Sequence, residues 1–359
     1  MSNNNIKILF ILPSLKAGGA ERVVSFIAQN LDADKFASTL LIIGHEKDAA
    51  FSVHNIETHF LNKNRVLDGV SGIFSKIKSL KPHIVMTSIS HLTAVTAIQS
   101  LWFRKTKFVA REANIKKITK QYHNNTLPFG IKTLSKISYS LLDAIICQSK
   151  DMADELAELR PKIASKIHVI NNPITKISSS ESAKKDTNIP QFITVGRLHN
   201  EKGHGRILKA LSLLNFEFHY TIIGSGPHKH LIEDASEALN LKNHITWIDF
   251  TNDVDHYLKN STVFIQGSYA EGFPNALLES CAVGTPVIAY NCLGGTSEIV
   301  EEGRNGYLVN TELELKDKLI ELTKNPLSQE QIIKSVSDKF STQKIIGQYE
   351  ALFKNLIKN

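Results

Sequence analysis

Two carboxylates separated by seven residues, Glu271 and Glu279, stand in the run Ser268–Ser280 (SYAEGFPNALLES). Glu271 falls in a loop after the apolar run Val263–Gln266. Pro274 favours the start of a helix, and Asn275–Leu278 begins an apolar helical pattern. Glu279 then sits one to two turns into a helix that is otherwise apolar: Ala276, Leu277 and Leu278 on one side, Cys281, Ala282 and Val283 on the other. A carboxylate in such surroundings needs a partner, because burying a charge unpaired is costly. Two carboxylates at a helix start can hold polyol hydroxyls as charge-assisted acceptors, with the N–H groups of the Gly272–Leu277 loop beside them. The plainer alternative is a turn residue and a surface residue with no ligand.

Further sites follow other strand-like runs. In Val195–Gly203 (VGRLHNEKG), Arg197 and Lys202 flank a loop. An Arg offers planar bidentate donors and a Lys a point charge, and together they suit a diphosphate. Two solvated loop cations are the alternative. Gly18 and Gly19, in Lys16–Arg22 (KAGGAER), let backbone approach a ligand closely, and the helix after them offers free N–H groups to an anion. Gly224, in Ile223–Pro227 (IGSGP), permits the same approach or a simple turn. Neither GxGxxG nor the P-loop pattern GxxxxGK[ST] is present, which argues against dehydrogenases and P-loop ATPases.

These loops need strands and helices to place them. The chain has 359 residues, too many for one ordinary core, and 42% of them are hydrophobic. Short apolar runs predict strands at Ile6–Leu12, Thr39–Ile43, Ile84–Thr87, Lys107–Ala110 and Ala144–Gln148. A second set follows at Gln191–Val195, Tyr220–Ile223, Ile245–Ile248, Val263–Gln266 and Pro286–Ala289. Amphipathic segments such as Glu21–Leu31, Ile207–Leu214 and Asn275–Val283 alternate with them. Continuous apolar strands with crossover helices give an α/β class with parallel sheets. Residues Thr175–Ile189 (TKISSSESAKKDTNI) carry a linker composition. The expected organisation is two doubly wound domains, 1–172 and 173–340, and a C-terminal helix over 341–359 packing back on the first. Ligands of such sheets sit outside the carboxyl ends of the strands, and two facing domains make an interdomain cleft.

Bulk properties narrow the partners. Lys and Arg number 42 against 35 acidic residues, for a net charge of +7. This mild excess fits nucleotide phosphates or an anionic membrane face. No dense cationic run with interleaved aromatics occurs, so nucleic acid is not an expected partner. Three cysteines without a CxxC pair argue against a disulfide framework or zinc site and for a cytoplasmic protein. No run approaches the length of a membrane span.

Taken in this order and spacing, the motifs resemble the retaining glycosyltransferases of family 4, the glycosyltransferase group 1 family with the GT-B fold. The matching segments are GGAER at 18–22, VGRLHNEKG at 195–203, IIGSGP at 222–227, EGFPNALLE at 271–279, GTPVIA at 284–289 and GGTSEIVEEGRNGYLV at 294–309. The resemblance implies two Rossmann-like domains facing across a cleft, the first for the acceptor and the second for a nucleotide-diphosphate sugar, with a UDP-sugar the expected donor. It implies that Arg197 and Lys202 neutralise the departing diphosphate, and that Glu279 accepts from the ribose hydroxyls. Glu271 then binds the transferred sugar, while Phe273, Asn275, Ala276 and Leu277, with Gly272, line the sugar–phosphate site through their backbone. Gly18 and Gly19 would close over the phosphates, and Gly224 and Ile248 would border the nucleotide. The resemblance also implies a hexosyl transfer that needs no metal and no cofactor, with cations and helix dipoles in place of a divalent ion. In keeping with this, Asp253-Val254-Asp255 opens a helix rather than forming a metal-binding DxD.

Two positions depart from the family pattern. Asp249 replaces a common glycine beside the base. Where many relatives place a histidine after the fourth strand, this chain reads Ala110-Arg111-Glu112-Ala113-Asn114. Glu112, Asn114 or His91 are candidates for that acceptor-side role. The segment Trp102–Lys107 (WFRKTK), with Lys116, Lys117 and Lys120 and the helical pattern Phe129–Leu142, could rest on an anionic bilayer. The acceptor is then a saccharide or a lipid-linked glycan of cell-surface polysaccharide synthesis, and the location the cytoplasm, peripheral at the inner membrane face. The rival readings are a non-hydrolysing nucleotide-sugar epimerase and a non-catalytic nucleotide-sugar-binding or scaffold protein.

Overall fold

A parallel sheet is covered on both faces, so its central strands read as nearly continuous apolar runs. In the computed structural model, which describes residues 5–16, 18–112, 137–175 and 189–358, two such sheets form, one in each of two compact units. The described residues up to 173, with 342–358, belong to the first unit; those from 174 to 341 belong to the second.

The first unit begins with β1 (Ile6–Leu12), α1 (Gly19–Asn30), β2 (Phe36–Ile42), β3 (Glu57–Phe60), α2 (Val70–Leu80) and β4 (Ile84–Ser88). It continues with α3 (Ser90–Gln99), β5 (Lys107–Arg111), β6 (Ala144–Cys147), α4 (Lys150–Leu159) and β7 (Ile167–Val169). Its strands are ordered β3-β2-β1-β4-β5-β6-β7, and every pair is parallel.

The second unit contains β8 (Gln191–Val195), α5 (His204–Leu211), β9 (His219–Ile223), α6 (Lys229–Ala238), β10 (Ile245–Ile248), α7 (Val254–Lys259) and β11 (Val263–Gln266). After these come α8 (Asn275–Ala282), β12 (Val287–Tyr290), α9 (Thr296–Ile299), β13 (Gly306–Val309), α10 (Glu312–Lys324) and α11 (Gln329–Phe340). The order is β10-β9-β8-β11-β12-β13, again all parallel. Alternate residues of β8 feed two cores: Phe192 packs with Leu208, Leu211, Tyr220 and Leu319, and Ile193 with Phe264, Leu278, Val336 and Phe340. The chain winds one way from β8 to β9 and β10, and the other way through β11, β12 and β13. The topological switch point therefore lies between β8 and β11, where an open α/β sheet leaves room for a ligand.

Helix α12 (Thr342–Lys358) contributes Ile345, Ile346, Tyr349, Leu352 and Phe353 to the core of the first unit. The Phe353 ring meets those of Phe10 and Phe36 edge-on, each at a centroid distance of 6.4 Å.

All of the runs singled out above as strands form strands. The sequence reading lacks β3, β7 and β13, all of which lie on sheet edges. An edge strand has one open flank and loses the continuous apolar signature; β3 reads Glu-Thr-His-Phe with no fully buried residue. Of the expected linker Thr175–Ile189, all but its two end residues lie outside the described residues, as do Lys116, Lys117, Lys120 and most of Phe129–Leu142.

Candidate active site

At the switch point of the second sheet, a cavity opens at the carboxyl ends of β8 and β11. Gly196, Lys202, His204, Ser268, Glu271 and Asn275 are among its lining residues. Lys202 comes from the β8–α5 loop and Glu271 from the β11–α8 loop. Their charged groups meet at 2.6 Å, with side chains only 20% and 13% exposed. Ser268 Oγ donates to the same Glu271 oxygen at 2.5 Å. The two loops touch backbone to backbone. Gly203 has φ +61°, and a Cβ there would lie 1.8 Å from the carbonyl oxygen of Gly267. That contact requires glycine at position 203.

Arg197 is placed differently from Lys202. Its side chain is 67% exposed, and Nη2 donates to Glu201 Oε1 at 2.6 Å. Arg197 is not among the residues that line the cavity. His204, at the first position of α5, is 3% exposed. Its Nε2 bonds the Arg197 carbonyl oxygen at 3.3 Å, and burial pushes its pKa down to about 4. At neutral pH it is an uncharged imidazole.

The motif at 271–279 separates into surface and core. Phe273 is buried, and its ring packs edge-on to Phe340 at 5.5 Å. Leu277 is fully buried. Both side chains face the core, so these residues can offer a ligand only their backbone. Asn275 and Ala276 line the cavity. Pro274 is the N-cap of α8 and supplies no side-chain cap, so the helix start presents N–H groups and the positive end of its dipole. Glu279 lies one turn further on and is 8% exposed. Gly224 follows β9, and its N–H donates to the Ile248 carbonyl at 2.8 Å, which joins these two residues on neighbouring strand ends. Asp249 is 65% exposed and pairs with Lys229 at 2.7 Å.

In the first unit, Gly18 and Gly19 follow β1, His91 follows β4 and Glu112 follows β5. Because β1, β4 and β5 are adjacent and parallel, these residues line one edge of that sheet. Gly18 is the N-cap of α1. His91 is exposed in the first turn of α3. Glu112 is 6% exposed; its carboxylate accepts from the Tyr139 hydroxyl, and its carbonyl from Gln148 Nε2 at 2.6 Å. Asn114 lies outside the described residues. Elsewhere in the unit, Leu101 and Trp102 are 55% and 64% exposed, beside exposed Arg104 and Lys105. Trp102 and Phe103 both contact the Phe74 ring.

Sequence reasoning assigned no role to Ser268, Glu201, His204 or Arg206. A Glu four residues after Arg197 is a readable signal for that arginine's partner. The contacts of the others come from distant segments.

Comparison with known proteins matches both units. Residues 17–176 match the model for Glycosyltransferase Family 4, and 175–338 the model for Glycosyl transferases group 1. The chain is 26% identical over 354 residues to the "Uncharacterized glycosyltransferase" of Haemophilus influenzae, covering 96% of this chain and 98% of that protein. It is 23% identical over 350 residues to the N-acetylgalactosamine-N,N'-diacetylbacillosaminyl-diphospho-undecaprenol 4-alpha-N-acetylgalactosaminyltransferase of Campylobacter jejuni, covering 94% of each. The crystal structure of Anabaena HepE in complex with UDP aligns with a TM-score of 0.80 at 20% identity, over 97% of this chain and 100% of that one. The chain belongs to the group 1, family 4 glycosyltransferases and has their GT-B fold.

Proposed function

We propose that this glycosyltransferase moves a hexosyl group from a UDP-sugar to a saccharide or lipid-linked acceptor in cell-surface polysaccharide synthesis, retaining anomeric configuration and needing no metal. The observation that carries the reading is the Lys202–Glu271 pair, at 2.6 Å, in a cavity at the switch point beside the start of α8. In the reaction, the bond between the anomeric carbon and the diphosphate breaks and negative charge grows on the diphosphate. Lys202, Arg197 and the first-turn N–H groups of α8 stabilise that charge. Glu271 orients the sugar through its hydroxyls, and buried Glu279 holds the ribose. The acceptor oxygen bonds to the same face of the anomeric carbon, and its proton passes to the departing phosphate oxygen. The UDP complex of Anabaena HepE and the undecaprenol-linked substrate in the name of the Campylobacter transferase support the donor and acceptor classes.

The test is nucleotide release from a panel of UDP-, GDP- and ADP-sugars with and without candidate acceptors. Acceptor-dependent UDP release is expected. Sugar epimerisation without an acceptor, or binding without turnover, would replace the reading with one of its rivals. Among the described residues no helix is long and apolar enough to cross a membrane. The exposed Leu101, Trp102, Arg104 and Lys105 support peripheral contact with an anionic inner membrane face. Co-sedimentation with anionic vesicles, lost at high salt, checks this part, and no pelleting removes it.

A further inference from the structure

Arg206 lies in the first turn of α5, four residues after Lys202. Its guanidinium lies against two aromatic rings. The central carbon is 4.1 Å from the centroid of the Tyr269 ring and 3.7 Å from that of Tyr290. Its edge is occupied as well: Nε donates to the Gly267 carbonyl at 2.6 Å, and Nη2 donates to the Ser268 carbonyl. Those two carbonyls form the start of the loop after β11, and Glu271 stands three residues beyond the second. Tyr290 is 2% exposed at the end of β12, so one face of the clamp is anchored in the sheet.

The same two loops are tied elsewhere by backbone. Tyr269 N donates to the Glu201 carbonyl at 2.9 Å; in addition, Glu271 N donates to the Leu293 carbonyl, in the loop after β12, at 3.1 Å. Lys202 belongs to one of these loops and Glu271 to the other. Their 2.6 Å contact depends on how the loops are held. Only a planar guanidinium offers two parallel N–H donors to adjacent carbonyls while lying against two rings; an ammonium group offers a point charge.

We infer that Arg206, its guanidinium held against Tyr269 and Tyr290, is a positioning residue that clamps the Gly267–Ser268 backbone and so sets Glu271 against Lys202. Its Nε and Nη2 donors serve the two carbonyls and its plane lies against the two rings, so it acts on the reaction through the loop. The inference rests on the reading that Lys202 and Glu271 handle the donor.

The experiment compares the full-length parent, Arg206→Lys and Arg206→Met by hydrogen–deuterium exchange with fragment-level readout, and by donor turnover with the UDP-sugar that the panel identifies. Amides of Tyr269 and Glu271 should exchange at least about tenfold faster in both variants, with α12 in the first unit and the rest of the second unit unchanged. The kcat should fall about 10- to 100-fold, as for a reacting group displaced by a fraction of an ångström. Affinity for UDP alone should stay within about threefold, and Arg206→Lys should not restore the parent rate, because the charge alone is insufficient. Unchanged exchange at Tyr269 and Glu271 overturns the inference, and so does a rise spread evenly over the second unit. Should Arg206→Met fail to fold, Arg206→Lys and Tyr290→Leu, which removes one face of the clamp, give the same comparison. The exchange measurement uses no ligand. If no nucleotide sugar is turned over by the parent, the donor reading fails while the clamp is still decided.

Discussion

Gly294 is a position where one methyl group should disable the site without touching a ligand. Its φ is +120°, a region that costs an L residue about 1–3 kcal/mol. A Cβ there would lie 1.8 Å from the carbonyl oxygen of Glu271 and 2.7 Å from its carbonyl carbon, whereas real Cβ contacts essentially never fall below 3.0 Å. Backbone must therefore yield by about 1.2 Å, the difference between 3.0 and 1.8 Å. The yielding atoms are the peptide of Glu271 itself, tied through its N–H to Leu293 at 3.1 Å. A carboxylate held 2.6 Å from Lys202 does not keep that contact through such a shift. A displacement of about 1 Å at a reacting group costs on the order of 100-fold in rate. Gly294→Ala is accordingly expected to lower kcat/KM for the donor about 100-fold and to destabilise the second unit by at least the 1–3 kcal/mol of strain. Steady-state nucleotide release and denaturant unfolding measure the two effects. A folded Gly294→Ala enzyme within threefold of the parent rate would falsify the argument that the Glu271 backbone must stay where it is.

Other substitutions probe the rest of the site. Lys202→Met removes the cation and should lower turnover about 100- to 1000-fold, read by nucleotide release at saturating donor. His204 has a folded pKa of about 4, below its ordinary 6.5, because burial disfavours the charged ring. The unfolded chain therefore takes up the proton first: the contribution is complete above about pH 6.5 and is lost as pH falls toward 4, to a total of about 3 kcal/mol. Denaturant unfolding at pH 7 and 4.5 should show this loss in the parent and not in His204→Leu. Phe273→Ala should cost about 3–5 kcal/mol, because its ring packs on Phe340 in the core. Reduced donor binding with unchanged stability would place that ring in the ligand site instead.

The legible parts of the chain are those whose signal is local. Strands β1, β8 and β11 carry apolar runs, Ile8–Leu12, Phe192–Ile193 and Val263–Ile265, because they are covered on both sides, and those runs mark them in the sequence. The four-residue β13, Gly-Tyr-Leu-Val, is half-exposed at an edge and carries no such mark. Lys202 and Glu271 stand out because cation and carboxylate each follow a strand within a glycine-bearing loop. The role of Arg206 could not be read in this way. Its partners are two carbonyls 61 and 62 residues away and a ring on a third element, and a backbone carbonyl has no residue type to recognise. The run at 271–279 was readable as a motif, but its alternation between cavity and core came only with the helix: Asn275 and Ala276 line the cavity, while Phe273 and Leu277 are buried.

Helix α12 gives the chain an unusual order of completion during synthesis. The first unit emerges from the ribosome first, yet five of its core residues lie between Ile345 and Phe353. The second unit, from Ile174 to Ser341, must be translated in between, which at ribosomal speed takes about 10–30 s. For that interval Phe10 and Phe36 lack the ring of Phe353 that closes over them. A nascent chain halted before residue 342 would therefore hold a finished second unit and an unfinished first one. It is the earlier-made half, with its apolar face uncovered, that a chaperone would have reason to engage.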